Sequence, residues 1–317
     1  MMKRLPWLRK ILYFVCLGAG ALILILQAAN GYRAQTARGL PITSPQLLFG
    51  ALVFTGLATG AQMLAWRTLM QGLGVSLGKR EVLRGYMLSF LPRYIPGSVW
   101  GYLGRNEWLF QEYAVSYAAS NLGSILEILA SVTGVFVVVG LNWASARLSV
   151  RWPVLLIALP LLPAAIWVIM RRGFEWPLVK RLLSRFMTSG LFSGVSLQRW
   201  LAGVGLFVVH WLLNGVALGM TVGALSQQLV IPLDITLRFA SAYSLAWFIG
   251  FIIIFAPAGL GFRELALSAI LAADFATPPG NASAVAVLFR LVIIFTEVSW
   301  VAIALLLRGL KDAQTRK

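Results

Sequence analysis

The chain has 317 residues, 59% of them hydrophobic and only 12% charged, and its mean hydropathy is +0.83. A soluble domain carries about 25% charged residues, so this composition excludes one and reads as a polytopic membrane protein. The net charge of +17 does not point to nucleic acid, because the basic residues cluster beside hydrophobic spans, where membrane topology and anionic lipid head groups account for them.

The N-terminus sets Lys3, Arg4, Arg9 and Lys10 ahead of an apolar run from Ile11 to about Ala29. That run is too long for the core of a secretory signal and more spans follow, so residues 1–45 read as a retained first transmembrane helix and a loop. A second span, about Gln46 to Leu69, carries Gly56 and Gly60 at the spacing that lets helix backbones approach closely. A basic loop, Gly72 to Arg84, then leads into short hydrophobic arms between about Gly85 and Phe110. These are interrupted by Pro96-Gly97-Ser98-Val99-Trp100-Gly101-Tyr102-Leu103-Gly104-Arg105. The next span, about Ser116 to Leu141, holds Asn121 and Glu127. Another runs from about Pro153 to Met170, and Pro160 and Pro163 are expected to kink it.

The longest polar connection, 171–199, sets Arg171, Arg172, Lys180, Arg181, Arg185 and Arg199 against Glu175, a pattern suited to an amphipathic helix on the membrane surface. A fifth span, about Trp200 to Leu225, contains His210, Asn214 and the small-residue ladder Gly215, Gly219, Gly223. The stretch from Phe239 to Ala273 is too long for one span of about 20 residues and too short for two spans plus a turn. Inside it lies the helix-breaking run Pro257-Ala258-Gly259-Leu260-Gly261-Phe262-Arg263-Glu264. The last span, about Ser283 to Leu307, carries Arg290 and Glu297, and Arg308, Lys311, Arg316 and Lys317 follow it.

Irregular backbone at membrane depth persists only where protein or a water-filled cavity covers it. Both interrupted stretches therefore read as re-entrant helical hairpins lining a site, the strongest sequence pointer to a transporter's binding region. Cytoplasmic loops gather Lys and Arg. Placing both termini inside puts the N-terminal cluster, the loop with Lys79, Arg80 and Arg84, the central connection and the C-terminal cluster on the cytoplasmic side. The bias holds only if each hairpin returns to the side it entered from. The expected fold is all-α, with about six full transmembrane helices and two re-entrant hairpins as an inverted repeat. The first repeat covers 46–170 with its hairpin near 85–110, and the second covers 200–308 with its hairpin near 239–273. Each hairpin follows a polar loop ending in Leu-Arg, at Leu83-Arg84 and Leu237-Arg238.

A charge at the centre of a transmembrane helix costs roughly 2.5–3.5 kcal/mol, so Glu127, Arg263, Glu264, Arg290 and Glu297 need a reason to be there. Two explanations stand side by side. One is a polar cavity for an anionic head group, with Arg105 and Arg263 as contacts, the acids as counter-charges or proton sites, and the glycines beside them admitting the ligand to the backbone. The other is mutual pairing, Arg263 with Glu264 or Glu297 and Arg290 with Glu297. His210, the single histidine, suits an interhelical hydrogen bond or, with Asn214, proton sensing. Trp100, Tyr94, Trp108 and Tyr102 suit a lipid-accessible groove or interfacial anchoring.

Enzyme signatures are missing from the sequence: there is no Walker-type loop, metal-ligand spacing or nucleophile elbow with a plausible histidine partner. Cys16 is the single cysteine, which excludes an intramolecular disulfide and a cysteine metal cluster. No cofactor and no metal is expected.

The run Pro257-Ala258-Gly259-Leu260-Gly261-Phe262-Arg263-Glu264 resembles the Pro-Gly-Gly-Leu-Gly-x-Arg-Glu signature of the flippase-like membrane domain of lysylphosphatidylglycerol synthases. Pro96, Gly101 and Arg105 look like that family's earlier Pro…Gly…Arg element. The similarity covers roughly residues 46–308, with Ala258 in place of a usual glycine and without the synthases' soluble aminoacyl-transferase domain. The resemblance implies lipid translocation and argues against lipid aminoacylation by this chain itself. The expected function is movement of an anionic or phosphate-bearing lipid, a phospholipid or a polyprenyl phosphate, across the cytoplasmic membrane of a prokaryote. Its substrate-binding residues would be Pro96, Gly97, Gly101, Arg105, Glu127, Pro257, Gly259, Gly261, Arg263, Glu264, Arg290 and Glu297. A competing expectation is a non-transporting subunit that docks a separate glycosyltransferase or lipid-modifying enzyme through the basic 171–199 segment. A third is a carrier for a small soluble anion.

Overall fold

The computed structural model describes residues 44–90, 100–147, 160–175, 194–226, 232–253, 256–275, 277 and 279–314, with positions 22, 25, 26, 29 and 33. Most of the expected first span, the start of the fourth, Pro96, Gly97 and most of the basic connection fall outside the described residues. Among the described residues there are nine α-helices and no strand. They are α1 (Pro45–Gly72), α2 (Lys79–Phe90), α3 (Trp100–Tyr113), α4 (Tyr117–Arg147), α5 (Leu161–Glu175), α6 (Leu197–Ser226), α7 (Leu233–Ile252), α8 (Phe262–Asp274) and α9 (Pro279–Gln314). Among the described residues five segments are long and apolar enough to cross a membrane: Pro45–Gly72, Tyr117–Arg147, Leu197–Leu225, Leu233–Ile252 and Gly280–Leu306. The chain is a multi-pass helical membrane protein.

The sequence explains where several helices begin and end. Pro45 opens α1 at the position where its missing N–H is not needed. At the other end Gly74 takes φ 79°, a left-handed value that lets the Val75 N–H reach back to Met70 O at 3.0 Å. Pro160 immediately precedes α5, and Pro163 lies in its first turn. Both prolines suit the start of a helix, since first-turn N–H groups have no intrahelical acceptor to lose, and the expected kink falls on a stretch whose first part, 153–159, lies outside the described residues.

The chain divides into two compact units, neither of them a continuous stretch. One comprises Met1–Gly56, Phe90–Gly101 and Asn214–Ile303, and the other Leu57–Ser89, Tyr102–Leu213 and Ala304–Lys317. The second unit is built on aromatic packing between helices. Trp66, Trp200, Trp211 and Phe207 are fully buried. Trp200 Nε1 donates to Pro163 O at 2.8 Å and Trp211 Nε1 to Ser131 O at 3.2 Å, so these indoles bury their area without stranding a donor. His210 Nδ1 donates to Ala58 O at 2.8 Å, the interhelical hydrogen bond expected of it.

In the first unit, α6 meets α7 at glycine. A methyl group at Gly215 would lie 2.7 Å from Thr236 O and 2.7 Å from Ala240 N, and one at Gly219 would lie 3.2 Å from the Phe239 ring. By contrast, a methyl group at Gly56 or Gly60 of α1 would meet nothing within 4 Å among the described residues. Among those residues the close approach is seen at Gly215 and Gly219 and not at Gly56 and Gly60.

Two helix pairs are closed at their open ends in the same way. Arg84, the sixth residue of α2, donates to both carboxylate oxygens of Glu112 near the end of α3, at 2.9 and 2.8 Å, and lies 5.8 Å above the Trp108 ring. Arg238, the sixth residue of α7, donates to Asp274 O at the end of α8 and lies 4.7 Å above the Phe275 ring. Phe239 and Phe275 stack at 4.5 Å, which also holds the ends of α7 and α8 together. Both Leu-Arg dipeptides noted in the sequence serve as these clasps. The pairs differ in length. α2 and α3 have 12 and 14 residues, about 18 and 21 Å, and α8 has 13, about 20 Å. α7 has 20 residues, about 30 Å, enough to cross the hydrocarbon on its own.

Candidate functional site

Each helical hairpin supplies one partner of a buried arginine–carboxylate contact, and the helix that follows supplies the other. In the second unit, Arg105 projects from α3 and Glu127 from α4, and their side chains are 1% and 4% exposed. Arg105 Nη2 donates to Glu127 Oε2, and the Tyr86 hydroxyl of α2 donates to Glu127 Oε1. Both carboxylate oxygens are therefore engaged. The guanidinium lies 4.3 Å above the Trp66 ring, 5.2 Å from Tyr86 and 5.4 Å from Tyr102, so three aromatic faces surround the cation. Next to Arg105 in the chain, Asn106 Nδ2 donates to Asn121 Oδ1 at 2.7 Å, and the Ser124 hydroxyl donates to Asn106 Oδ1 at 3.3 Å. Asn121, Ser124 and Glu127 recur every three residues, which makes one polar face on α4.

In the first unit, the α7–α8 turn is the proline-glycine run itself. Ala258 takes φ 50°, Gly259 φ 68° and Gly261 φ 81°. Three left-handed residues within four positions reverse the chain in a space that β-substituted residues enter only with strain. Gly259 is needed for a further reason. A methyl group there would lie 3.1 Å from the Gly250 backbone, and one at Gly250 would lie 3.1 Å from Arg263 Cβ. The two glycines let the turn press against α7. Glu264 then caps α8 from within: its Oε2 accepts the Gly261 N–H at 2.6 Å. Its other oxygen, Oε1, faces Arg290 Nε of α9 at 3.4 Å, with both side chains buried. Tyr243 of α7 packs edge-on against Phe289 at 4.9 Å and stands within electrostatic range of Arg263, Arg290, Glu297 and Glu264.

Of the twelve residues selected from the sequence, Pro96 and Gly97 lie outside the described residues. Gly101 is buried in the first turn of α3, and Pro257, Gly259 and Gly261 shape the α7–α8 turn. Arg105 meets Glu127, and Glu264 meets Arg290. Neither of these pairings was among those expected from spacing. Arg263 is half-buried beside Gly250, and Glu297 gathers with Glu264 and Arg290 around Tyr243. Sequence reading missed Tyr86, Trp66 and Tyr243, because an aromatic residue in an apolar helix carries no local mark of the charge it faces. Asn106 had a weak signal, as the neighbour of Arg105. Among the described residues no cluster of histidine, cysteine and acids could hold a metal ion.

Comparison with curated proteins and with solved structures returns no match. A family model, the lysylphosphatidylglycerol synthase TM region, matches residues 11–298. That match takes in both hairpins and both buried ion contacts, and on its strength the chain belongs to the family of lysylphosphatidylglycerol synthase transmembrane regions.

Proposed function

We propose that the chain moves an anionic or phosphate-bearing lipid between the leaflets of a prokaryotic cytoplasmic membrane. The observation that carries this reading is the pair of helical hairpins, each contributing one buried charge that meets an opposite charge on the helix that follows it, Arg105 with Glu127 and Glu264 with Arg290, among otherwise apolar spans. Burying an ion pair recovers its desolvation cost only with good geometry and further hydrogen bonds, so such pairs in a membrane bundle need a use beyond stability. On this reading both hairpins are re-entrant, six full spans surround them as an inverted repeat, and both termini face the cytoplasm. The arginine clasps at Arg84 and Arg238 support the re-entrant part, since each brings the end of a hairpin back to its beginning.

The roles divide by exposure. Arg263, half-buried beside the glycine turn, contacts the head group, while Gly259 and Gly261 admit it to the backbone. Arg105, held by Glu127, is a separate contact for the lipid within its own unit, and the acids Glu264 and Glu297 with Arg290 balance charge as the lipid passes. Pro96, Gly97, Gly101 and Pro257 form the hairpin tips, and the chain itself transfers no group. The test is leaflet exchange of fluorescent phosphatidylglycerol and of a polyprenyl phosphate in vesicles containing the purified protein. Wild-type exchange that falls at least tenfold in Arg263→Ala supports the reading. Wild-type exchange no faster than in protein-free vesicles shifts weight to a subunit that docks a lipid-modifying enzyme.

A further inference from the structure

The α2–α3 hairpin holds two buried donors for which its own residues provide no acceptor. Arg105 uses Nη2 on Glu127, but its Nε–H has no hydrogen-bond partner. Trp108, three residues further and therefore on the same face of α3, has an Nε1–H in the same condition. Both side chains are more than nine-tenths buried. Two other buried tryptophans of this unit, Trp200 and Trp211, donate to main-chain carbonyls, so unmet indole N–H groups are not its habit. A buried donor left without an acceptor costs about as much as a lost hydrogen bond, so two on one helix face each call for an acceptor.

The surroundings define what kind of acceptor. Gly85 of α2 seats the Trp108 ring: a methyl group there would lie 2.5 Å from that ring and 3.2 Å from Trp66. Trp66 in turn lies 4.3 Å beneath the Arg105 guanidinium. The walls are thus aromatic. Among the described residues the charges here are balanced, Arg105 by Glu127 and Arg84 by Glu112, so the face they form offers N–H groups without surplus positive charge. A phosphate would bring an uncompensated negative charge into that setting. A neutral acceptor with two lone pairs and no hydrogen of its own fits better, and in a glycerolipid the group of that kind next to the apolar chains is the ester carbonyl.

We infer that Arg105 Nε and Trp108 Nε1 form a subsite for an ester carbonyl oxygen of a glycerolipid. The inference rests on the lipid-translocation reading and narrows its substrate to ester-linked lipids, at the expense of polyprenyl phosphates. The test compares diester phosphatidylglycerol with its diether analogue, which keeps the phosphate and glycerol and lacks the carbonyls. Two readouts are taken on wild type: the shift in thermal midpoint on titrating each lipid into detergent-solubilised protein, and leaflet exchange of each in vesicles. The diester should bind about tenfold more tightly, the worth of one or two hydrogen bonds. Trp108→Phe, which keeps a ring and removes the N–H, should erase the difference. Equal binding of the two lipids by wild type overturns the subsite, whatever the variant does, and leaves translocation standing if either lipid is exchanged. A diester preference without exchange supports the subsite and overturns translocation. The wild-type comparison needs no variant, so a poorly folding Trp108→Phe would not rescue a failed outcome.

Discussion

Glu127→Gln replaces one carboxylate oxygen with an amide NH2 where both oxygens already accept hydrogen bonds, one from Tyr86 and one from Arg105. The amide can keep its oxygen toward Arg105 and turn its NH2 to the Tyr86 hydroxyl, which can accept, so the main loss is electrostatic: the Arg105 charge stays buried without its counter-charge. Breaking one side of a buried ion pair costs about 3–5 kcal/mol. At roughly 2 °C per kcal/mol for a chain of this size, the thermal midpoint should fall by about 6–10 °C. Thermal unfolding of detergent-solubilised protein, followed by intrinsic tryptophan fluorescence, reads the change directly, since Trp66 touches the cluster. The double variant Arg105→Met/Glu127→Leu supplies the control. An apolar pair of similar volume removes both charges and should recover most of the loss, because replacing a buried pair is often neutral where breaking it is not. A single variant within about 1 kcal/mol of wild type would refute the reasoning. So would a double variant as unstable as the sum of its singles, since the two residues could not then be coupled.

Tyr86→Phe removes a hydrogen bond to a charged acceptor and should cost about 1.5–3 kcal/mol, measured by the same thermal assay. Gly215→Val drives a side chain into the α7 backbone and should lower the midpoint or abolish folded protein on size-exclusion chromatography, at about 1–3 kcal/mol or more. Ala258→Gly relieves a left-handed alanine and should be neutral or stabilising by up to about 1 kcal/mol, whereas Gly259→Ala, in the same turn, should destabilise. Arg84→Gln loosens a clasp whose partners are about two-fifths exposed and should change stability by less than about 1 kcal/mol.

Much of the fold was legible because hydropathy is a local property. The apolar spans around α1, α4, α6 and α9 follow from runs of apolar residues, and the Pro257–Glu264 break from proline and glycine chemistry. The spans' ends were less legible. Pro160 and Pro163 suggested a kink in sequence, and among the described residues they stand just before and within the first turn of α5, where proline costs no hydrogen bond. The lengths of the hairpin arms were hidden as well: α7 reaches a full membrane thickness although it belongs to a stretch too short for two spans.

The sequence by itself determined the membrane class, the two interrupted stretches and the signature of the family, all of which depend on residues close together in the chain. Only the tertiary structure decided which charges meet. Glu127 joins Arg105 and Tyr86, and Glu264 both caps its own helix and faces Arg290. An ion pair between helices depends on which faces the packing turns toward each other, and that is settled by contacts such as Gly215 against Thr236 and Gly85 against Trp108. Spacing along one helix carries no record of the neighbour, so a buried arginine announces in sequence that it needs a partner, and only the packed bundle names it.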